Sequence, residues 1–306
     1  MKAVSYRTYG GPEVLEYGDL PKPKVGPDAV LIEVRAAAVN PVDWKVQAGY
    51  LDGMIQPVFP VVPGWDVSGV VVELGADTPE FQVGDEVIGY VREDFVSRGT
   101  FAEYVAAPVR TLARKPANLT FEQAAGLPLA GLTAYQALKA AEVGEGDTVL
   151  VHAAAGGVGS LAVQLAAHLG ARVVGTASER NHDYLRSLGT EPVTYGDGLA
   201  DRVRALVPEG VSVVLDFVGG GAVHTSPQVT AAGARLVSIA DPDVAALGGR
   251  LLWVRPDTAD LTALSRLAEQ DVLSVEIAEV FPLEKTADAQ RLSARGHTRG
   301  KIVVSV

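Results

Sequence analysis

The sequence predicts an α/β fold in two parts, one β-rich and one a doubly wound parallel sheet. Three observations predict it. Between residues 147 and 270, apolar strand-like runs alternate with helical patterns. Residues 1 to about 120 instead carry short Val-rich runs separated by Pro-Gly, Gly-Asp and Pro-Lys turn signals. At the head of the alternating stretch, the turn Ala153-Ala-Ala-Gly-Gly-Val-Gly-Ser160 joins the apolar run Asp147-Thr-Val-Leu-Val-His152 to a helical pattern.

In the first part, strands are expected at 29–35, 67–74, 86–90 and 101–105. The character changes near residue 119. Thr120 and Gln123 fit a capping box, and the alanine-rich helical pattern that follows to about Ala141 should break in two at Gly126 and Pro128. Strands are then expected at 148–152, 171–176, 192–195, 211–217, 234–239 and 250–254, with helices at 157–169, 179–188, 198–207, 221–231 and 258–270. These strands are apolar throughout, as in a parallel sheet covered on both faces, and six of them complete a doubly wound dinucleotide fold. From about Leu273 the first style returns, with strands near 275–281 and 301–306 flanking a helix at 284–295. The chain should therefore come back to complete its first domain, giving 1–122 with 272–306 and, between them, 123–271.

Composition narrows the function. A length of 306 residues suits about two domains, and 48% hydrophobic residues suffice for their cores. A net charge of −11 repels nucleic acid and anionic membranes, so neither is expected as a partner. The chain has no cysteine, which excludes disulfides, a thiol nucleophile and every cysteine-ligated zinc site. Its five histidines are scattered without a compact ligand spacing, so no metal is expected. The start lacks the shape of a signal peptide and no run of about 20 apolar residues exists, so a soluble cytoplasmic protein is expected.

A strand, a glycine turn and a helix are the context that dinucleotide binding requires. Small residues let the backbone approach a pyrophosphate, and the amides of Ala155, Gly156, Gly157 and Val158 would hold it. The helix dipole adds only ~0.3–1 kcal/mol per exposed charge, so the amides must do most of the holding. Aligned to G-x-G-x-x-G, the three positions are Ala154, Gly156 and Gly159. Because the first is not glycine, a plain strand-to-helix turn of another α/β protein is the alternative.

Further motifs follow in a telling order. They are Val39-Asn-Pro-Val-Asp-Trp-Lys45, Pro63-Gly-Trp-Asp-Val-Ser-Gly69, Gly84-Asp-Glu-Val-Ile-Gly89, Gly99-Thr-Phe-Ala-Glu-Tyr104, Ala124-Ala-Gly-Leu-Pro-Leu129, Leu132-Thr-Ala-Tyr135, the glycine turn, and Gly300-Lys-Ile-Val-Val304. With them the chain resembles the zinc-independent quinone oxidoreductase (zeta-crystallin-like) branch of the medium-chain dehydrogenase/reductase superfamily, over nearly its whole length. The resemblance implies a GroES-like catalytic domain plus a Rossmann domain, with the cofactor in the cleft between them, and a homodimer. The apolar edge segment Arg250–Val254 is a candidate dimer seam, the alternative being a covered internal strand. Where the zinc branch carries Gly-His-Glu, this chain has Gly64-Trp65-Asp66.

The second strand of the sheet ends in small residues, followed by Ser178, Glu179 and Arg180. An NAD enzyme usually has an acid at that strand end for the ribose hydroxyls. Arg180 and Ser178 suit a 2′-phosphate instead, so NADPH is the expected cofactor. Resemblance adds Tyr195 to the same phosphate. A solvated helix start, or Glu179 on a ribose hydroxyl of NADH, are the alternatives.

Without a metal, hydride must go to an acceptor that carries the new charge itself, a quinone or an α,β-unsaturated carbonyl. The protein then needs one or two hydrogen-bond donors and close positioning. Tyr50, whose phenol can donate a proton, is the candidate donor to the acceptor carbonyl, or else a surface tyrosine. Resemblance puts Asn40 by the nicotinamide and substrate, Thr133 by the nicotinamide carboxamide, and the backbone of Phe217, Val218, Ser238 and Ile239 around the nicotinamide. Trp65 lines the pocket or packs beneath the cofactor, the alternative being core packing alone. Lys301 either approaches the cofactor phosphates or is solvated. Asp43 and Lys45 form an acid–base pair or an ion pair, and His152 reads as a core residue. The leading reading is an NADPH-dependent quinone or enone reductase. An enoyl-thioester reductase and a non-catalytic NADPH-binding sensor or crystallin-like protein are the alternatives.

Overall fold

A computed structural model describes residues 1–306. Contacts divide the chain into two compact units. One comprises Met1–Leu129, Pro256–Gln270 and Val275–Val306, and the other Ala130–Arg255 with Asp271–Ser274.

The spine of the first unit is the strand Ala29–Val39. Its one edge pairs antiparallel with Asp66–Leu74. Its other edge is shared by Tyr104–Pro108 along residues 29–33 and by Lys301–Ser305 along residues 36–39. The strand Ile277–Pro282 runs parallel outside Lys301–Ser305, so the tail does complete this unit. Val30, Ile32 and Val34 alternate onto one face and join Val67, Val71, Phe101 and Leu112 in the core. On the other face Ala36, Ala38 and Val303 are small enough for the helix Phe121–Ala125 to pack closely through Ala125. That helix starts as its sequence dictates: Thr120 Oγ1 accepts the Gln123 amide at 3.2 Å and Gln123 Oε1 accepts the Thr120 amide at 3.1 Å. After Gly126 a second helix runs Pro128–Ala140.

In the second unit six parallel strands lie in the order Glu191–Thr194, Arg172–Ala177, Thr148–His152, Val211–Asp216, Thr230–Ser238, Arg250–Leu251. Counted along the chain this is 3-2-1-4-5-6, the doubly wound dinucleotide order. Leu150, Val174, Val193 and Val214 from four adjacent strands form one core under the helix Leu199–Leu206.

Several boundaries differ from the sequence expectation. The segments 179–188 and 221–231 are each a 3₁₀ turn followed by a short helix, Glu179–Asn181 with His182–Ser187 and Ala222–Thr225 with Ser226–Val229. The edge strand has two residues, not five. The helix Thr258–Glu269, expected with the parallel sheet, packs in the first unit. Ser265 Oγ donates to the Arg114 carbonyl at 2.8 Å and Asn118 Nδ2 to the Ala268 carbonyl at 2.8 Å. Helical periodicity shows an apolar face but not the partner that covers it, which is why the expected boundary at 271 misses this.

Candidate active site

In the second unit the glycine turn joins the strand Thr148–His152 to the helix Gly159–His168. Ala153 takes a left-handed conformation at φ 56°, and its amide donates to Thr176 Oγ1 at 3.1 Å. The left-handed residue is thus Ala153, one before Ala154, the first position of the motif alignment. A Cβ on Gly159 would lie 2.2 Å from the Ala153 carbonyl oxygen, so only glycine lets the helix Gly159–His168 start this close to the strand. The amides of Ala155, Gly157 and Val158 donate to no acceptor of the chain, whereas that of Gly156 already bonds the Ala153 carbonyl at 3.0 Å.

Ser178 and Tyr195 directly follow Ala177 and Thr194, which are register partners on adjacent parallel strands. Both therefore emerge at the carboxyl ends of neighbouring strands, where ligands of such sheets bind. Arg180 is exposed on the following 3₁₀ turn and Tyr195 is 47% exposed. Sequence reasoning missed Arg202, which shapes this turn by donating to the carbonyls of Thr194 at 2.9 Å and Asp197 at 2.8 Å.

The loops after the fourth and fifth strands of this sheet are tied together by another residue the sequence did not single out. Asp216, fully buried, accepts the amides of Val218 (3.0 Å) and Gly219 (2.9 Å) on Oδ1 and the Ser238 hydroxyl (2.7 Å) on Oδ2. Ser238 Oγ in turn accepts the amides of Ala240 and Asp241, and Asp241 accepts that of Gly221 at 3.1 Å. The Ile239 amide donates to the Asp216 carbonyl. Ser238 is therefore a loop organiser, and Phe217 and Val218 sit on a loop held from beneath, with Val218 58% exposed. An acid closing an apolar strand was the available signal for Asp216. His152, its register partner, is buried with its pKa lowered by burial, in keeping with a core role. Thr133 is buried on the helix Pro128–Ala140.

The first unit holds a buried polar cluster. Asn40 ends the spine strand and caps the helix Pro41–Gln47, where Asp43 Oδ2 accepts its amide at 2.7 Å. Asn40 Nδ2 donates to Asp66 Oδ2 at 2.9 Å and to the Ala38 carbonyl at 3.3 Å. Lys301 Nζ donates to Asn40 Oδ1 at 2.6 Å and to the Val39 carbonyl at 3.3 Å, and lies 3.8 Å from Asp66. The other Asp66 oxygen accepts the Leu129 amide at 2.7 Å, in the first turn of the helix Pro128–Ala140. Burial pushes the Asp43 carboxyl up to about 8 and that of Asp66 up to about 6, the latter opposed by Lys301 and its hydrogen bonds. Burial lowers Lys301, against the two carboxylates. Two N–H groups and an ammonium converge on or beside Asp66, an arrangement that favours its ionised form.

Lys301 is thus not a solvated lysine, and a phosphate would have to displace its present partners. Lys45 lies over the Trp44 ring at 5.6 Å and does not pair with Asp43. Trp65 is 5% exposed and packs against Tyr90 with ring centroids 6.1 Å apart, leaving little of it to line a pocket. Tyr50 is 73% exposed, its ring edge-on to Trp44 at 6.3 Å.

Residues 26–117 match the alcohol dehydrogenase GroES-like domain family, and residues 188–304 the zinc-binding dehydrogenase family. The chain is 36% identical to a protein of Arabidopsis thaliana named NADPH-dependent alkenal/one oxidoreductase, chloroplastic, over 99% of this chain and 79% of that one. The chain belongs to the medium-chain dehydrogenase/reductase superfamily, in its branch of quinone and alkenal oxidoreductases. Among solved members of the superfamily, the quinone oxidoreductase from Coxiella burnetii superposes with a TM-score of 0.90 at 37% identity, over 100% of this chain and 99% of that one. A mycobacterial member solved with NADPH superposes at 0.87 with 29% identity, over 100% of both chains.

The second family match carries zinc in its description, and the donors here do not fit that ion. The chain has no cysteine, and no three His, Asp or Glu side chains come together to hold a metal. Asp66, in the place of the superfamily's Gly-His-Glu acid, faces Asn40, Leu129 and Lys301 instead.

Proposed function

We propose that this chain is an NADPH-dependent oxidoreductase that reduces a quinone or an α,β-unsaturated carbonyl without a metal. The observation that carries the reading is an intact dinucleotide turn, with Gly159 against the Ala153 carbonyl, in a chain that lacks a metal-ligand set. The related alkenal/one and quinone oxidoreductases support the same acceptor class. NADPH, when bound, supplies the hydride. The chain's own residues bind and orient it. The free amides of Ala155, Gly157 and Val158 suit the pyrophosphate, with Gly156 giving close approach, and Ser178, Arg180 and Tyr195 suit the 2′-phosphate. The loops of Phe217–Val218 and Ser238–Ile239, with Thr133, Asn40 and Lys301, are assigned to the nicotinamide end, whereas Trp65 is left to core packing against Tyr90.

A quinone or enone carries the incoming charge onto its own oxygen, so a single donor there is sufficient. Tyr50 is assigned that role, because it is the exposed hydroxyl beside the Asn40 helix. Tyr50→Phe should lower kcat by about 10²-fold, in the range of a positioned acid, while stability stays within about 0.5 kcal/mol. Consumption of NADPH, followed at its absorbance band with 1,4-benzoquinone and a linear enone offered separately, tests the whole reading. Turnover of one acceptor supports it and the ratio fixes the acceptor class. Binding without turnover of either would instead favour a sensor.

A homodimer seamed along the exposed sheet edge at Leu251 and Trp253 belongs to the same proposal. A monomer by light scattering would remove it. A cytoplasmic location is likewise proposed and is checked by fractionating cells that express the chain.

A further inference from the structure

An asparagine side chain has two N–H donors and one carbonyl oxygen. In Asn40 all three are engaged by the first unit itself. One N–H goes to Asp66 Oδ2, the other to the Ala38 carbonyl, and the oxygen receives the Lys301 ammonium. Asp66 as a carboxylate can only accept and Lys301 as an ammonium can only donate. Turning the amide over would set N–H₂ against the ammonium and oxygen against the carboxylate, so the chemistry of the partners dictates one orientation. Asn40 is 2% exposed, Asp66 0% and Lys301 4%, so no water competes for these bonds from outside. The remaining Asp66 oxygen holds the Leu129 amide, which fixes the carboxylate in turn.

We propose that Asp66 is a positioning residue. With Lys301 as its counter-charge it locks the Asn40 carboxamide in one orientation and engages an amide hydrogen that would otherwise face the reactants. Asn40 then meets the reactants as a fixed wall with no free hydrogen-bonding group, and the acceptor's carbonyl takes its hydrogen bond from another group. The inference rests on the reading above that Asn40 borders the reacting groups. It gives Asn40 a role in binding and leaves hydrogen-bond donation to another group.

The test compares wild type with Asp66→Asn, Lys301→Met and the double variant. Each is measured for thermal midpoint, NADPH binding by fluorescence, and kcat and KM with 1,4-benzoquinone and a linear enone. Asp66→Asn should lower kcat by about 10²-fold, the effect of misplacing a wall group by about 1 Å, with KM for NADPH little changed. Lys301→Met should act in the same direction. The double variant buries no lone charge, so it should fold as wild type does and recover part, not all, of the lost kcat. A folded Asp66→Asn with wild-type kcat overturns the proposal. If Asp66→Asn does not fold, wild-type kcat in the double variant overturns it. One further readout does not need turnover. In ¹⁵N-labelled wild type the Asn40 side-chain amide pair, assigned by its absence in Asn40→Asp, should be protected from hydrogen exchange, and Lys301→Met should remove that protection. An unprotected pair in wild type sinks the inference. An inactive wild type with a protected pair sinks only the functional reading.

Discussion

Asp66 and Asp216 are both fully buried carboxylates, one in each unit, and they are held in different ways. Asp66 has a cation 3.8 Å away and two N–H donors, one of them a side chain. Asp216 has two backbone amides and a hydroxyl. A buried charge without compensation is strongly disfavoured, and either solution removes the penalty. They fix different things. Asp66 orients a side chain and the first turn of a helix, whereas Asp216 sets the path of two loops. The first depends on a second charged residue far along the chain, the second on local backbone amides and one hydroxyl from the neighbouring strand.

The sharpest way to break this comparison is Asp216→Ala. Three donors lose their acceptor at once, and each orphaned buried group costs about 1–3 kcal/mol. We expect a loss of about 3 kcal/mol or more in urea unfolding, with weaker NADPH binding. Unchanged binding would mean that the two loops hold their shape without the carboxylate. Gly159→Ala follows in size. Its methyl would meet the Ala153 carbonyl at 2.2 Å, and overpacking of this kind costs about 1–3 kcal/mol. Titration with NADPH should show the larger effect, because the turn itself must shift.

Arg180→Ala leaves both carboxylates alone and addresses cofactor choice. One charge-assisted bond of about 1.5–3 kcal/mol corresponds to a fall of roughly 10- to 150-fold in the preference for NADPH over NADH. A preference that does not move would assign the 2′-phosphate to Ser178 and Tyr195 without the arginine.

The smallest effects concern pH, where the units should differ in sign. Burial holds Asp43 protonated from its ordinary 3.8 up to about 8 in the folded first unit. The unfolded chain has already lost that proton, so stability declines as pH rises through this window. In the second unit burial depresses His152 below its ordinary 6.5, so stability is lost instead as pH falls below that value. Melting curves across pH should show Asp43→Asn flattening the decline that runs with rising pH from about 3.8 to about 8, and His152→Leu flattening the loss that sets in as pH falls below 6.5. Each effect is at most about 1.4 kcal/mol per pH unit. If both variants flatten the same limb, the opposition between the units is wrong.

Much of this was legible in the residues. The strands around Leu150, Val174 and Val214 read as a covered parallel sheet because their central positions are apolar, and six such runs matched a doubly wound fold, whose strand order the structure shows. Thr120 and Gln123 announced a helix start, and Gly126 with Pro128 its break, through purely local chemistry. The turn at Gly156–Gly159 was visible for the same reason. Less legible were Arg202 and Asp216, whose partners are backbone groups that sequence does not advertise. The helix Thr258–Glu269 was seen but assigned to the wrong unit, since its periodicity says that one face is covered without saying by what.

The cluster around Asn40 marks the limit most clearly. Asn40, Asp66 and Lys301 each stood in a motif, and each was read separately. Local pattern and composition by themselves determined the two-part α/β architecture, the glycine turn and the absence of cysteine ligands, because those depend on residue type and short spacing. Only the tertiary structure decided that a lysine 261 positions beyond Asn40 would bury its ammonium against that amide. The antiparallel pairing of Lys301–Ser305 with the end of the spine strand makes that contact, and pairing between distant strands is set by the packing of the whole unit.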